Sequence, residues 1–253
     1  MPPHFKNDPW RAFIGAGYTP QLYAGVSPYS WANRHGILPS FPPEAGELRQ
    51  LRPPSTERRG YNRREVELVC HHKDAHVLLG YVCVMAWGGQ GERACTADHV
   101  RDAWGERKTI QEHLSQLKAG GLTRSDAYNL FQNSGRVSGL GPAFFTKLLY
   151  FFDQTEAKQD KVETKTGRCY IMDQWTARSV NLLTGQSLVK MAGTPPYISV
   201  SNANTGDDYE RFCAQIDAIA TSLQCHGSVV EERLFSWGGH RPGRWRQYVQ
   251  GNG

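Results

Sequence analysis

The stretch Arg136-Val137-Ser138-Gly139-Leu140-Gly141-Pro142-Ala143-Phe144-Phe145-Thr146-Lys147-Leu148-Leu149-Tyr150-Phe151-Phe152 decides the fold. A tight Gly-Leu-Gly turn runs straight into an apolar helix. Pro142 suits the first helical turn, where its missing N–H would have no partner anyway. Gly139 and Gly141 leave the backbone bare, so N–H groups at that helix start can approach a phosphate. A plain tight turn between two helices asks for the same glycines. Phe144, Phe145, Leu148, Leu149, Phe151 and Phe152 wrap nearly all round the helix, which therefore buries most of its surface. Lys147 stands alone inside that wrapping. It either snorkels to solvent or is kept for its chemistry.

Outward from this helix the pattern is mainly α, with little alternating strand signal and no internal repeat. Asp74 to Trp87 is long and apolar and ends at Gly88-Gly89, which predicts a buried core helix with an Asp cap. Thr96 to Trp104 and Thr109 to Leu117 read as amphipathic helices. Thr123-Arg124-Ser125-Asp126 has capping-box spacing and opens a short helix through Phe131. After the Lys147 helix, the polar residues 153–167 predict an exposed, mobile loop. Cys169 to Met172 then make a short extended approach to Asp173, which opens a helix to about Leu183. A connection over residues 193–206 leads to an amphipathic helix from Asp208 to Leu223, followed by another from Val229 to Trp237. Arg241, Arg244 and Arg246, with Trp245 and Tyr248, form a basic-aromatic tail.

Residues 1–62 read differently. Pro39, Pro42, Pro43, Pro53 and Pro54 break any helical period. The expectation is an irregular Pro/Arg-rich N-terminal arm that packs on the main domain (63–253) through Trp10, Phe13, Tyr23 and Trp31 and frays near Arg58-Arg59. Arg49, Arg52, Arg58, Arg59, Arg63 and Arg64 would lie along a phosphate backbone or form a solvated charge run.

The 253 residues suffice to bury a core. A net charge of +5 favours an anionic partner without distinguishing DNA from other anions. The six cysteines are scattered with no CxxC pair, which argues against zinc ribbons and iron–sulfur clusters. His71, His72 and His76 lack the companion ligands of a metal site and read as surface or helix-start residues. No metal and no cofactor is expected. The N-terminal residues lack the apolar run of a signal peptide, and no stretch approaches the ~20 apolar residues of a membrane span. A soluble, cytoplasmic monomer is the expectation.

The order of helix, glycine turn, helix, loop and an aspartate opening the next helix resembles the helix-hairpin-helix DNA glycosylases, in particular their 8-oxoguanine DNA glycosylase branch. Residues 74 to about 237 carry the resemblance. The hairpin matches at Val137-Ser138-Gly139-Leu140-Gly141. Met172-Asp173-Gln174-Trp175-Thr176-Ala177-Arg178 is similar to the family's V-D-x-H-V-x-R segment, with Trp175 in place of His and Thr176 in place of Val. The family's nucleophilic lysine stands two residues after the second hairpin glycine, and here that position is Ala143. Lys147 lies one turn further along the same face, about 5.4 Å along the axis.

The resemblance implies double-stranded DNA as partner, held at Gly139, Leu140, Gly141, Ala143 and Arg178. It implies Lys147 and Asp173 as catalytic residues, and Trp87, Phe144 and Trp175 as candidates for a base pocket. Breaking an N-glycosidic bond develops positive charge on the sugar, which a carboxylate at Asp173 stabilises. A neutral Lys147 attacks C1′ and opens a Schiff-base route to strand cleavage. The target base must first be swung out of the duplex. The implied function is a DNA glycosylase acting on a damaged or modified base, 8-oxoguanine first. Ala143 leaves open a non-catalytic DNA-binding protein that kept the hairpin. An unrelated helical protein with a Gly-Leu-Gly turn is the third reading. Asp173 also reads as a plain helix cap, and the two roles can coexist.

Overall fold

The computed structural model describes residues 7–18, 20, 23–43, 60–91, 97–153, 167–195, 197–237 and 241–252, and they are mainly helical. In chain order the helices are α1 (Asn7–Gly15), α2 (Pro28–Arg34), α3 (Arg63–His71), α4 (Val77–Gly88), α5 (Ala97–Gly105) and α6 (Arg107–Ala119). There follow α7 (Arg124–Asn129), α8 (Pro142–Phe152), α9 (Gln174–Thr184), α10 (Gly206–Leu223), α11 (Gly227–Phe235) and α12 (Arg244–Asn252). A short antiparallel ribbon, β1 (Met191–Ala192) and β2 (Ser199–Val200), pairs Met191 with Val200 and Ala192 with Ser199. No described helix is long and apolar enough to cross a membrane.

Helix α4 is the central element, because every residue from Val77 to Trp87 is buried. It packs against α2, α3, α6 and α8. Its glycines let α8 approach closely. A Cβ at Gly80 would lie 2.6 Å from Phe152 Cζ, and one at Gly88 would lie 2.8 Å from Lys147 Cδ. The expected aspartate cap is corrected: Asp74 is exposed, and the Nδ1 of His76 accepts the Leu78 N–H at 3.2 Å. The cause is a turn over residues 72–75, whose His72 and Ala75 carbonyls both accept from Lys118 Nζ. That turn keeps residues 72–75 out of the helix, and His76, with extended backbone, becomes the cap.

The other caps follow the sequence. Thr123 Oγ1 accepts from Asp126 N, and Gly89 closes α4 in the left-handed region. Asp173 and Thr176 form a reciprocal capping box on α9, as do Thr205 and Asp208 on α10. Such a cap stabilises its helix by about 1 kcal/mol.

The expected irregular arm is in part helical. Helix α2 seats Trp31 against α4, and α1 packs Trp10 and Phe13 toward α9 and α12. Tyr23 is half-buried beside Trp87. Gly25 lies so close to α4 that a Cβ there would come within 2.4 Å of Trp87 Cα. Arg49, Arg52, Arg58 and Arg59, and the predicted fraying, fall outside the described residues, as does most of the predicted 153–167 loop. Arg63 is removed from the phosphate-contact set. It is buried against Glu231 and Glu232, because α3 packs its N-terminal turn into the interior. The basic-aromatic tail is also corrected, since it forms α12, with Trp245 and Arg246 buried.

Candidate active site

The turn before α8 is held from three sides. Gly139 has φ +71°, and a Cβ there would come within 2.1 Å of the His99 carbonyl oxygen. The Gly139 carbonyl accepts from Gln90 Nε2 at 3.1 Å, and Ser138 N–H donates to Glu106 Oε1 at 2.9 Å. Gly141 caps α8 without a side chain, and Pro142 follows at the first helical position. The Leu140 side chain is buried in the core, so only its backbone is available at this turn.

Lys147 is 8 % exposed. Side chains on a helix lean toward its N-terminus, and Lys147 follows this rule. Its Nζ donates to the Ala143 carbonyl one turn back and lies 4.8 Å from the Phe144 ring centre. The amine thereby reaches the helical turn that holds Ala143. The α4 backbone closes the other side at Gly88. Burial pushes the ammonium below its ordinary pKa, while Asp173 and Glu231 pull it back up.

Asp173 arrives from α9. Its Oδ1 accepts from Trp175 N at 2.8 Å and from Thr176 N at 3.0 Å. Every hydrogen bond to this carboxylate among the described residues falls on Oδ1, which leaves Oδ2 free for a ligand. Thr176 Oγ1 also donates to the Ile171 carbonyl at 2.8 Å, tying the cap to the extended approach strand. Met172 N–H donates to Thr146 Oγ1 at 3.1 Å. Residues 171–173 are thus bound directly to α8, and the carboxylate and the amine share one wall.

Lys147, Asp173 and Ala143 line a cavity of about 590 Å³. Trp87, Phe144 and Trp175 line it too, so the three aromatic side chains singled out from the sequence converge in space. Arg178 does not join them. Its guanidinium donates to the Val249 carbonyl at 3.1 Å, lies 5.4 Å from the Trp175 ring centre, and borders a separate depression with Asn181 and Met191.

Several lining residues had no sequence signal. Glu231, 2 % exposed, comes from α11 and pairs with Arg63. Burial pushes its carboxyl up to about 7; Arg63 opposes this, and Glu232 and Asp173 add to it. Its position on α11 beside Val230 and Glu232 looks like an ordinary amphipathic pattern; only the packing of α3 exposes its role. Arg246 comes from α12, and residues 197–200 come from the ribbon. Clustered Arg and aromatic residues after 235 were the one available hint for Arg246.

In this mainly helical protein a lysine and an aspartate thus face an aromatic-walled cavity behind a glycine turn. The family described as "Putative 8-oxoguanine DNA glycosylase OGG-like protein" matches residues 23–235, and the chain belongs to it; this family match places the protein in the DNA glycosylase-like kind. No curated protein and no solved structure matches the chain. The family match contains Lys147, Asp173 and Glu231, whereas Trp237 and Arg246 lie beyond it.

Proposed function

We propose that this protein is a DNA N-glycosylase that flips a damaged or modified base, with 8-oxoguanine as first substrate, out of double-stranded DNA into the aromatic-walled cavity. The observation that carries this reading is the convergence of the Lys147 amine and the Asp173 carboxylate on that cavity. The backbone N–H groups at the start of α8 offer an anchor for a DNA phosphate. Trp87, Phe144 and Trp175 offer faces on which an extruded base can stack.

In this reading Asp173, through its unengaged Oδ2, stabilises the cationic sugar as the bond to the base stretches. The lone pair of neutral Lys147 Nζ forms a bond to C1′ while the C1′–N bond breaks. The base leaves with that electron pair and takes up a proton. Loss of a proton from Nζ and opening of the sugar ring give a Schiff base. Removal of a C2′ proton then expels the 3′ phosphate. Lowering of the Lys147 pKa by burial supplies the neutral amine this sequence needs.

Borohydride trapping on duplexes holding 8-oxoguanine or an abasic site is the test. The expected result is a covalent adduct that disappears in Lys147→Ala. The adduct should form faster as pH rises, with a midpoint below that of an ordinary lysine. Base release that persists in Lys147→Ala would assign the attack to water and leave Asp173 as the catalytic group. Tight, salt-dependent binding without turnover on any modified duplex would favour a DNA-binding protein without catalysis.

A further inference from the structure

Arg246 is 5 % exposed, yet no ion pair or hydrogen bond engages it among the described residues. Its Nε is buried without a partner. Three rings enclose the guanidinium, with Cζ 4.2 Å from the centre of Trp175, 4.4 Å from Phe235 and 5.0 Å from Trp237. These faces favour a cation but accept none of its hydrogen bonds in the plane of the fork. Burial pushes the group down to about 10, and Asp173 opposes this. A desolvated arginine with unsatisfied donors is costly unless a ligand supplies the acceptors. Arg246 lines the cavity that holds Lys147 and Asp173, so an occupant of that cavity is placed to supply acceptors to the guanidinium.

In the glycosylase reading the sugar meets Lys147 and Asp173, and Trp175, Phe235, Trp237 and Arg246 line the same cavity within reach of an extruded base. Oxidation of a purine at C8 adds a carbonyl oxygen where the unmodified base has only C–H. The same change puts a hydrogen on N7, so along that edge the acceptor moves from N7 to the C8 oxygen, and a donor aimed at the C8 oxygen finds a partner only in the oxidised base. We propose that Arg246 is the specificity-determining residue of this cavity, its terminal N–H groups donating to the oxygen atoms on the edge of a flipped, oxidised purine. This rests on the glycosylase reading above and adds the group that chooses the base.

The test separates choosing the base from attacking the sugar. An abasic site has no base to read, so its trapping by borohydride needs Lys147 but not Arg246. In Arg246→Met, single-turnover excision of 8-oxoguanine should fall about a hundredfold or more, because a site built to bond a substrate group rejects its absence strongly. Trapping at an abasic duplex by the same variant should stay close to wild type. Arg246→Lys keeps a cation near Asp173 without the planar fork and should remain impaired on 8-oxoguanine.

Equal loss on both duplexes, in a variant whose melting transition matches wild type, would overturn the proposal and make Arg246 an electrostatic support for Asp173. Full recovery in Arg246→Lys would overturn it too. Should Arg246→Met melt far below wild type, Arg246→Lys carries the test alone. Wild-type protein that traps abasic DNA but leaves 8-oxoguanine in place would refute the assignment to an oxidised purine. Failure to trap or excise at all would refute the glycosylase reading itself, a result distinct from selective loss in the variant.

Discussion

Replacing Asp173 by asparagine separates two roles that one carboxylate fills. As a cap, Asp173 uses Oδ1 to accept two backbone N–H groups, at 2.8 and 3.0 Å. Asparagine keeps an oxygen at that position and caps helices about as well, whereas alanine forfeits about 1 kcal/mol. For a chain of this size that loss lowers Tm by about 2–4 °C, so Asp173→Ala should melt measurably lower while Asp173→Asn stays close to wild type. The chemical role uses the charge and Oδ2. Losing a preorganised group that stabilises developing charge costs about 10²–10³-fold in rate. Single-turnover base release by Asp173→Asn should therefore fall by that factor at unchanged stability. The same variant removes a charge that pulls the Lys147 pKa upward, so the midpoint of borohydride trapping should move to lower pH. Wild-type base release by Asp173→Asn would refute the catalytic role and leave Asp173 a cap alone.

Other expectations test the surrounding frame. Gly88→Ala places a Cβ 2.8 Å from Lys147 Cδ, and the displaced amine should cut the trapping rate by about 10- to 100-fold with little change in Tm; an unchanged rate would show that the amine position is not critical. Gly139→Ala strains a backbone at φ +71° and meets the His99 carbonyl oxygen, so it should lower stability by about 1 kcal/mol or more and weaken binding to undamaged duplex, as read by melting and a salt titration. Glu231 has its pKa raised in the fold from 4.5 to about 7, so the native state holds its proton more firmly than the unfolded chain. The stability it contributes is full below about 4.5 and is lost as pH rises through about 7; Glu231→Gln should abolish that slope in Tm against pH. Arg63→Met removes the cation that holds the Glu231 pKa down and should destabilise the protein in denaturant titration, by about 3–5 kcal/mol at high pH where the carboxyl would be stranded as a charge and by less at low pH where it is protonated.

Much of the fold is written in local pattern. The apolar run 77–87 could only be a buried helix, and the capping signals at Thr123, Asp173 and Gly89 act within a turn of their own residues. Lys147 and Asp173 were legible for the same reason: a charge inside an apolar helix and an acid at a helix start are anomalies of short range. The position of α4's cap escaped because Lys118, over forty residues away, holds the preceding turn. The helices of the N-terminal arm escaped because prolines obscured short segments that owe their order to packing on α4, α9 and α12.

By itself, then, the amino-acid order determined that residues 63–237 are mainly helical with caps at Thr123, Asp173 and Gly89, that the Gly139–Gly141 turn feeds an apolar helix, and which lysine and aspartate are out of place. Only the tertiary structure decided what meets them. Lys147 lies back over the Ala143 carbonyl because Gly88, bare of a side chain, leaves room for its stem. Glu231 becomes a buried acid because α3 brings Arg63 to it from far away in sequence. Arg246 becomes a caged cation because α9, α11 and the residues after it each contribute a ring. Side-chain helix caps act on neighbours within four residues, whereas burial and charge at a site depend on surfaces from distant segments, which no local period records.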